Sequence, residues 1–407
     1  MSLLLTLLVA LAPTDWPKFR GPAADGHVTG PPVSLKWSDT ENVKWKVPIP
    51  GLGWSSPTIV AGRVFLTTAV AVEQGISLRA LALDASSGRV LWNREVRKIA
   101  DVPAIHSKNS HASPTPIVDQ GFVYVHFGAL GMAKLQAENG DVIWLNTDLN
   151  YPPLHGSGGT PVLHKGRLAV VCDGSVDPFV AAVDADSGKV LWKQPRSVKA
   201  RISHSFVTPA IAESADATLV MAPGPDHFAA YDLETGEEVW KVVAPGWSVV
   251  PQPVVTRGLV IYNHDYDNPE LIAVRMGGRG DVTESHIAWR RKRGAPSTPS
   301  PLLVGEDLFC VSDDGIATCI NVQTGEQHWM ERLGGNYSAS PIFANGRVLF
   351  LNESGRAVWV DAAKEFREVQ VNTVPGRTLA TPAFADGAMF LRTDEHLYRI
   401  QTDDGKE

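Results

Sequence analysis

FVAAVDADSGKVLW, residues Phe179 to Trp192, holds the architecture of this chain in fourteen residues. An apolar run leads into an Asp-initiated turn closed by Gly188, and a second strand ends in Trp192, which together predict a β-hairpin. In such a turn the Asp carboxylate accepts backbone N–H bonds while Gly supplies the positive φ. Much the same phrase returns as LDASSGRVLW to Trp92, LQAENGDVIW to Trp144, YDLETGEEVW to Trp240 and INVQTGEQHW to Trp329. Degenerate copies end at Trp289, where Gly277 to Asp281 lengthen the turn, and near Phe366.

A second mark accompanies it. A small residue or Thr near a Pro opens a short apolar strand at Pro57, Pro116, Pro161, Pro209, Pro253, Pro301, Pro341 and Pro382, every 40 to 59 residues. Each unit then holds about four strands, the signature of a propeller blade. Pro is tolerated on an edge strand and not on a central one, which places it on the innermost strand lining a channel. A Trp on the outermost strand can bury its ring against the next blade and donate its N–H to a carbonyl there. After Pro382 only three strands fit, ending at His396 to Ile400, while Asn42 to Pro50, NVKWKVPIP, is an orphan strand with Trp45 in the place of the repeat's terminal Trp. The sequence therefore predicts an all-β, eight-bladed propeller of four-stranded antiparallel blades, closed by the N-terminal strand 42–50 so that no blade is left half-finished with a free edge.

Composition agrees with that architecture. Hydrophobic residues make up 44% and charged residues 20%, ordinary globular values, and Gly 36 with Pro 29 imply many turns. A net charge of −7 argues against a nucleic-acid binder. Leu3 to Ala12 is too short to span a bilayer, which needs about 20 apolar residues; it fits the apolar core of a secretory signal with Ala10-Leu11-Ala12 as a small-x-small cleavage site, although no Lys or Arg precedes it and Pro13 follows. The expected organisation is a signal peptide at 1–12, a Gly/Pro-rich extension at 13–41 lying on the ring as an irregular cover, the propeller at 42–401 and a tail at 402–407. Export to the periplasm or cell envelope and a monomeric state are expected, with no transmembrane segment once the signal is removed.

Of the three cysteines, Cys310 and Cys319 flank Asp314-Gly315, a two-residue hairpin signal. Counting outward from a two-residue turn sets Cys310 opposite Cys319, close enough for a disulfide in an exported protein; the alternative is a pair of buried free thiols.

The pattern AxDxxxGxxxW, seen as Ala82-Asp84-Gly88-Trp92, Ala182-Asp184-Gly188-Trp192 and Ala230-Asp232-Gly236-Trp240, resembles the tryptophan-docking repeat of pyrroloquinoline-quinone (PQQ) propellers, and the likeness runs from Asp15 to Ile400. It is similar to the exported PQQ-like-repeat proteins of bacteria. The resemblance implies one of two activities. Quinoprotein dehydrogenases hold PQQ between a Trp and a disulfide of adjacent cysteines, beside a Ca²⁺ held by carboxylates and an amide; this chain has no Cys-Cys dipeptide and no CxxCH haem motif. The propeller lipoprotein of the outer-membrane barrel assembly machinery is a scaffold; here no lipid-anchor Cys follows the leader.

Candidate functional residues lie at the opposite end of the blades from the Trp hairpin. His111, His155 and His204 each precede a blade-opening Pro by five or six residues, with Lys108, Asn109 and Arg201 in the same segments, and Trp54, Trp247 and Tyr337 at comparable entrances. Imidazoles, cations and aromatic walls around one channel mouth suit an anionic, planar or glycan-like ligand. The histidines lack metal-motif spacing, and no metal site is assigned. Asp265, Asp267 and Glu270, and Asp173 with Asp177, are oxygen-rich loops without EF-hand spacing. Arg290 to Arg293 is a basic run, either a solvated face or a docking patch for an acidic protein or an anionic envelope component. The expected function is an exported scaffold that binds a small ligand or an envelope protein without catalysis. The alternatives are a quinoprotein-type oxidoreductase using PQQ and Ca²⁺, and a hydrolase or lyase built on the histidine cluster.

Overall fold

The computed structural model describes residues 14–152, 154–214 and 217–402; the expected leader at 1–12 and all but the first residue of the tail lie outside them. Eight sheets of four antiparallel strands follow one another along the chain; seven are hydrogen-bonded in chain order, one of these gaining a short parallel fifth strand, and the closing sheet takes its outer strand from the start of the chain. The blade containing the opening hairpin, the third, is built from Val162–His164, Arg167–Cys172, Phe179–Asp184 and Val190–Pro195. The eighth takes Ala383–Ala385, Ala388–Arg392 and His396–Ile400 from the C-terminal end and Val43–Pro48 as its outer strand, with Trp45 opposite Arg399. The ring closes as the repeat predicts. The helical content of the described residues is one α-turn at Thr283–His286 and one 3₁₀ turn at Gly128–Leu130, and no helix is long and apolar enough to cross a membrane.

Two belts join the blades. The outer belt is the Trp docking. Indole N–H groups donate to carbonyls of the following blade from Trp45 to Ala85 (3.1 Å), Trp92 to Ala137 (3.1 Å), Trp144 to Ala185 (3.2 Å), Trp192 to Leu233 (3.1 Å), Trp289 to Val322 (3.0 Å) and Trp329 to Ala363 (2.9 Å). Each of the first three rings lies on the turn glycine of the next blade; a Cβ on Gly188 would sit 2.6 Å from Trp144 Cδ2. That glycine is therefore required twice, for φ of +72° and for the indole above it. The turn Asp is equally local: Asp84 Oδ1 accepts from the N–H and hydroxyl of both Ser86 and Ser87, which holds its carboxyl down at about 2. Asp184 and Asp232 make the same turn through Ser187 and Thr235. Trp240 departs from the pattern. The lengthened turn of blade five lays Gly280–Asp281 parallel to Trp240 and Lys241, and the indole is buried against Phe228 with its N–H unpartnered.

The inner belt surrounds the channel and uses the residue before each blade-opening Pro. The Ser56 N–H donates to Thr115 Oγ1 (3.1 Å), Thr115 to Thr160 (2.9 Å), Thr160 to Thr208 (2.9 Å), Gln252 to Ser300 (3.0 Å), Ser300 to Ser340 (3.0 Å) and Ser340 to Thr381 (2.9 Å). Pro cannot donate to a ladder, so the amide just before it turns to the neighbouring blade instead.

The apolar core lies between the blades as a series of wedges, and of the two readings of Cys310 and Cys319 it leaves the buried free thiols. Cys310 packs with Val254, Ile261 and Ile320 at the boundary of blades five and six, whereas Cys319 packs with Val348 and Val358 at the next boundary. The register sets Cys310 opposite Thr318 and Phe309 opposite Cys319. The turn holds three residues and not two: the Ser312 N–H donates to Ile316 O (2.9 Å), and Ser312 Oγ accepts the Ile316 N–H (2.9 Å). One residue of slip moves a side chain to the other face of a sheet, and all three cysteines are free and buried.

The N-terminal segment crosses the end of the channel where the inner strands finish. Trp16 bridges to Ile59 of blade one, the Val118 N–H of blade two donates to Pro17 O (2.8 Å), and Phe343 of blade seven exchanges bonds with Gly26 and Val28 (both 2.9 Å). Between them Arg20 is buried and donates to Pro301 O of blade six (2.8 Å), its guanidinium pushed down to about 10 by burial, which outweighs the opposing charge of Asp25.

Candidate functional site

The inner strands of eight blades enclose a cavity of about 300 Å³. The crossing N-terminal segment closes it from below with Phe19, the hydroxyl belt forms its waist, and a loop forms its roof. That roof is the connection between blades one and two, which is longer than the others. It is tied to blade three by the His106 N–H and the Asn109 side-chain amide, both donating to His155 O (3.2 and 2.8 Å). On the far side Lys108 Nζ meets Glu353 of blade seven at 2.8 Å, and Arg377 donates to Ser107 O at 3.3 Å. The loop thus spans the channel mouth as a strap.

Beneath and beside the strap, aromatic rings meet edge to face: His106 and His155 at 5.6 Å, His155 and His204 at 5.4 Å, His204 and Trp247 at 5.4 Å. Across the mouth the Arg377 guanidinium lies 5.6 Å from the Trp54 ring. The charges here are matched. Burial works against the Lys108 ammonium, but the bond and charge of Glu353 hold it above the usual lysine range. Glu353 also accepts from Ser338 Oγ (2.7 Å) and, despite burial, is held below the usual glutamate range. Burial, aided by neighbouring His155, pushes the His204 imidazole down, so it is neutral at physiological pH.

Of the residues singled out from sequence, Trp54, Lys108, Asn109, His155 and Trp247 line the cavity, and His204 packs behind His155 and Trp247. Three do not belong to it. His111 is half-buried outside the lining, its imidazole pushed down by burial. Arg201 is exposed and anchors through its backbone to Asp226 (3.1 Å). Tyr337 is buried in the wedge between blades six and seven, because its bridge to Asn352 turns the ring into the core. The histidine trio is therefore a pair extended by His106. Sequence spacing also missed Phe19, Phe206, Gln252 and Tyr266, which line the cavity, and Glu353 above it. Gln252 alone had a signal, as the one blade-opening position before Pro that carries neither Ser nor Thr.

The oxygen-rich loops have other partners. Arg196 grips Asp173 through Nε and Nη2 (2.9 and 2.8 Å) and Ser205 adds a third bond, all buried. Glu270 pairs with Arg290 (3.0 Å), and Arg291 with Gln327 (2.7 Å), which engages part of the basic run. Among the described residues no three His, Cys, Asp or Glu side chains converge as a metal site.

Eight four-stranded blades locked by Trp-docking hairpins define a PQQ-like-repeat β-propeller of the quinoprotein-like superfamily. The family of the outer membrane protein assembly factor BamB matches residues 28–172 and 176–407, and this chain belongs to it. Its relatives divide between two activities. A polyvinylalcohol dehydrogenase of a Pseudomonas species is 28% identical over 167 residues, 37% of this chain and 24% of the relative. BamB of Yersinia pestis is 27% identical over 139 residues, 34% of this chain and 28% of the relative. The chain thus matches about a quarter of the length of each. The crystal structure of the quinohemoprotein alcohol dehydrogenase of Comamonas testosteroni superposes with a TM-score of 0.68 over 97% of this chain and 82% of its own, at 12% identity, a likeness of fold.

The dehydrogenase relatives raise the question of a PQQ–Ca²⁺ pair. Calcium takes six to eight oxygen ligands, carboxylates prominent among them. No carboxylate lines this cavity among the described residues, and the three thiols are sealed in blade wedges. The donor set does not fit that pair.

Proposed function

We propose that this protein is an exported, non-catalytic propeller of the bacterial envelope, a rigid ring that binds a small ligand or a protein partner at its strapped face. One observation carries the reading: the cavity wall offers hydroxyls, aromatic rings and the imidazoles of His106 and His155, its lysine is paired with Glu353 at 2.8 Å, and among the described residues no carboxylate or thiol lines the space to act with them. Kinship with an outer-membrane assembly factor supports a scaffold in the envelope, and the partner class is then an envelope protein or a glycan-like compound. The test is to purify the chain, add PQQ and Ca²⁺, and record quinone absorbance together with dye reduction in the presence of alcohols. No stoichiometric quinone binding and no dye reduction are expected. Stoichiometric binding with substrate-dependent reduction would replace the scaffold by the oxidoreductase.

A further inference from the structure

The six bonds of the inner belt leave two steps open, one at the seam between Thr381 and Ser56 and one inside the ring at blade five. In blade five Gln252 stands where the other blades have Ser or Thr, and the step from Thr208 to that blade lacks the amide-to-hydroxyl bond. Its side-chain N–H donates instead to Pro209 O (3.3 Å), and its Oε1 is buried on the cavity wall without a partner, the residue being 3% exposed. Trp54, also on the wall, has its indole N–H buried and unpartnered in the same way, at 7% exposure. A buried polar atom left without a partner is costly, so an acceptor and a donor on one small cavity mark where a ligand's own groups would go.

The rest of the wall fixes the ligand's chemistry. Thr115, Thr160, Thr208, Ser300, Ser340 and Thr381 each accept a backbone N–H through the hydroxyl oxygen, which leaves each O–H free to donate inward. Phe206, Trp247 and Tyr266 supply flat apolar surface beside them. Among the described residues no carboxylate lines the space, and Lys108 is already paired, so the site favours neither a cation nor a multiply charged anion. A volume near 300 Å³ is the low end for small-molecule sites and suits one ring, not a chain.

We infer that the cavity beneath the strap is a binding site for a single uncharged sugar ring, whose hydroxyls engage Gln252 and the belt while its C–H face stacks on the aromatic wall. The inference rests on the scaffold reading above. The probes are methyl glycosides of common hexoses and N-acetylhexosamines, screened against the full chain by saturation-transfer NMR, with PQQ as the charged planar control. At least one glycoside should receive saturation, and Gln252→Ser should weaken it at least tenfold. That variant places at blade five the hydroxyl that the other blades carry, so it keeps the fold, which circular dichroism and the urea midpoint verify. Trp54→Phe should weaken binding too. No transfer to any glycoside at millimolar concentration, or undiminished transfer in Gln252→Ser, would overturn the site while leaving the scaffold standing. A glycoside that binds and is also oxidised in the dye assay with PQQ and Ca²⁺ would keep the site and remove the scaffold.

Discussion

Replacing Gly188 by Ala separates the two reasons for the turn glycine. At φ +72° any Cβ costs about 1–2 kcal/mol. The new methyl would also lie 2.6, 2.8 and 2.9 Å from Trp144 Cδ2, Cε3 and Cγ, a clash with a ring held on its other edge by the bond to Ala185 O. Overpacking of this kind costs a further 1–3 kcal/mol or so. The total is about 2–5 kcal/mol. Gly166 provides the control, since its φ is +73° and a Cβ there meets nothing within 4 Å. Gly166→Ala should therefore cost only the backbone part, and the difference of about 1–3 kcal/mol belongs to the Trp docking. At 407 residues a kcal/mol moves the melting temperature by only about 1 °C, so urea midpoints at constant slope are the better readout. A double-mutant cycle completes the experiment: in a Trp144→Leu background the two Gly→Ala changes should cost the same to within about 0.5 kcal/mol. Equal costs in the wild-type background would refute the claim that docking, and not the turn alone, requires the glycine.

Thr160→Val removes the acceptor for the buried Thr115 N–H at 2.9 Å and should cost about 1–3 kcal/mol, while Thr160→Ser keeps the bond and should cost less; urea midpoints of the two variants measure the difference. Asp84, lowered to about 2 by its bonds to Ser86 and Ser87, lends stability that is complete above the ordinary Asp pKa of about 3.9 and is lost as pH falls through its folded value. The urea midpoint should accordingly drop between roughly pH 4 and pH 2, and Asp84→Asn should remove Asp84's share of that drop. Burial pushes the Cys310 and Cys319 thiols up to about 12, so neither should react with a thiol reagent in the native protein. Denatured without reductant, the chain should take up one alkyl group on each of its three cysteines; a mass lower by two hydrogens would refute the three-residue turn.

The docking belt was legible because its parts are neighbours in sequence: Asp184, Gly188 and Trp192 occur in one phrase that each blade must restate to meet the next. Ring closure was legible for the same reason, Trp45 being the missing word of the last blade. The thiol register was not, because Asp314-Gly315 imitates a two-residue turn and only the capture of the Ile316 amide by Ser312 reveals three. The cavity was half legible. Trp54, Trp247, His155, Lys108 and Asn109 sit at blade entrances whose position the repeat dictates. Phe19, Glu353 and His106 reach the space through the crossing segment, a loop of blade seven and the strap, contacts between distant parts of the chain that no periodicity encodes. The same distance misplaced Tyr337, where a bridge to Asn352 decides which way the ring faces.

The seam of the ring has a consequence for the order in which it is made. Val43–Pro48 is synthesised before any blade, yet its partner His396–Ile400 is among the last strands to emerge. Until then the Trp45 ring can dock on blade one at Gly88, but its backbone edge stays open. Seven blades can be complete while the circle remains a broken bracelet with one exposed clasp. A circular permutant that moves this strand to follow Ile400 would make every blade continuous and close the circle in a single pass.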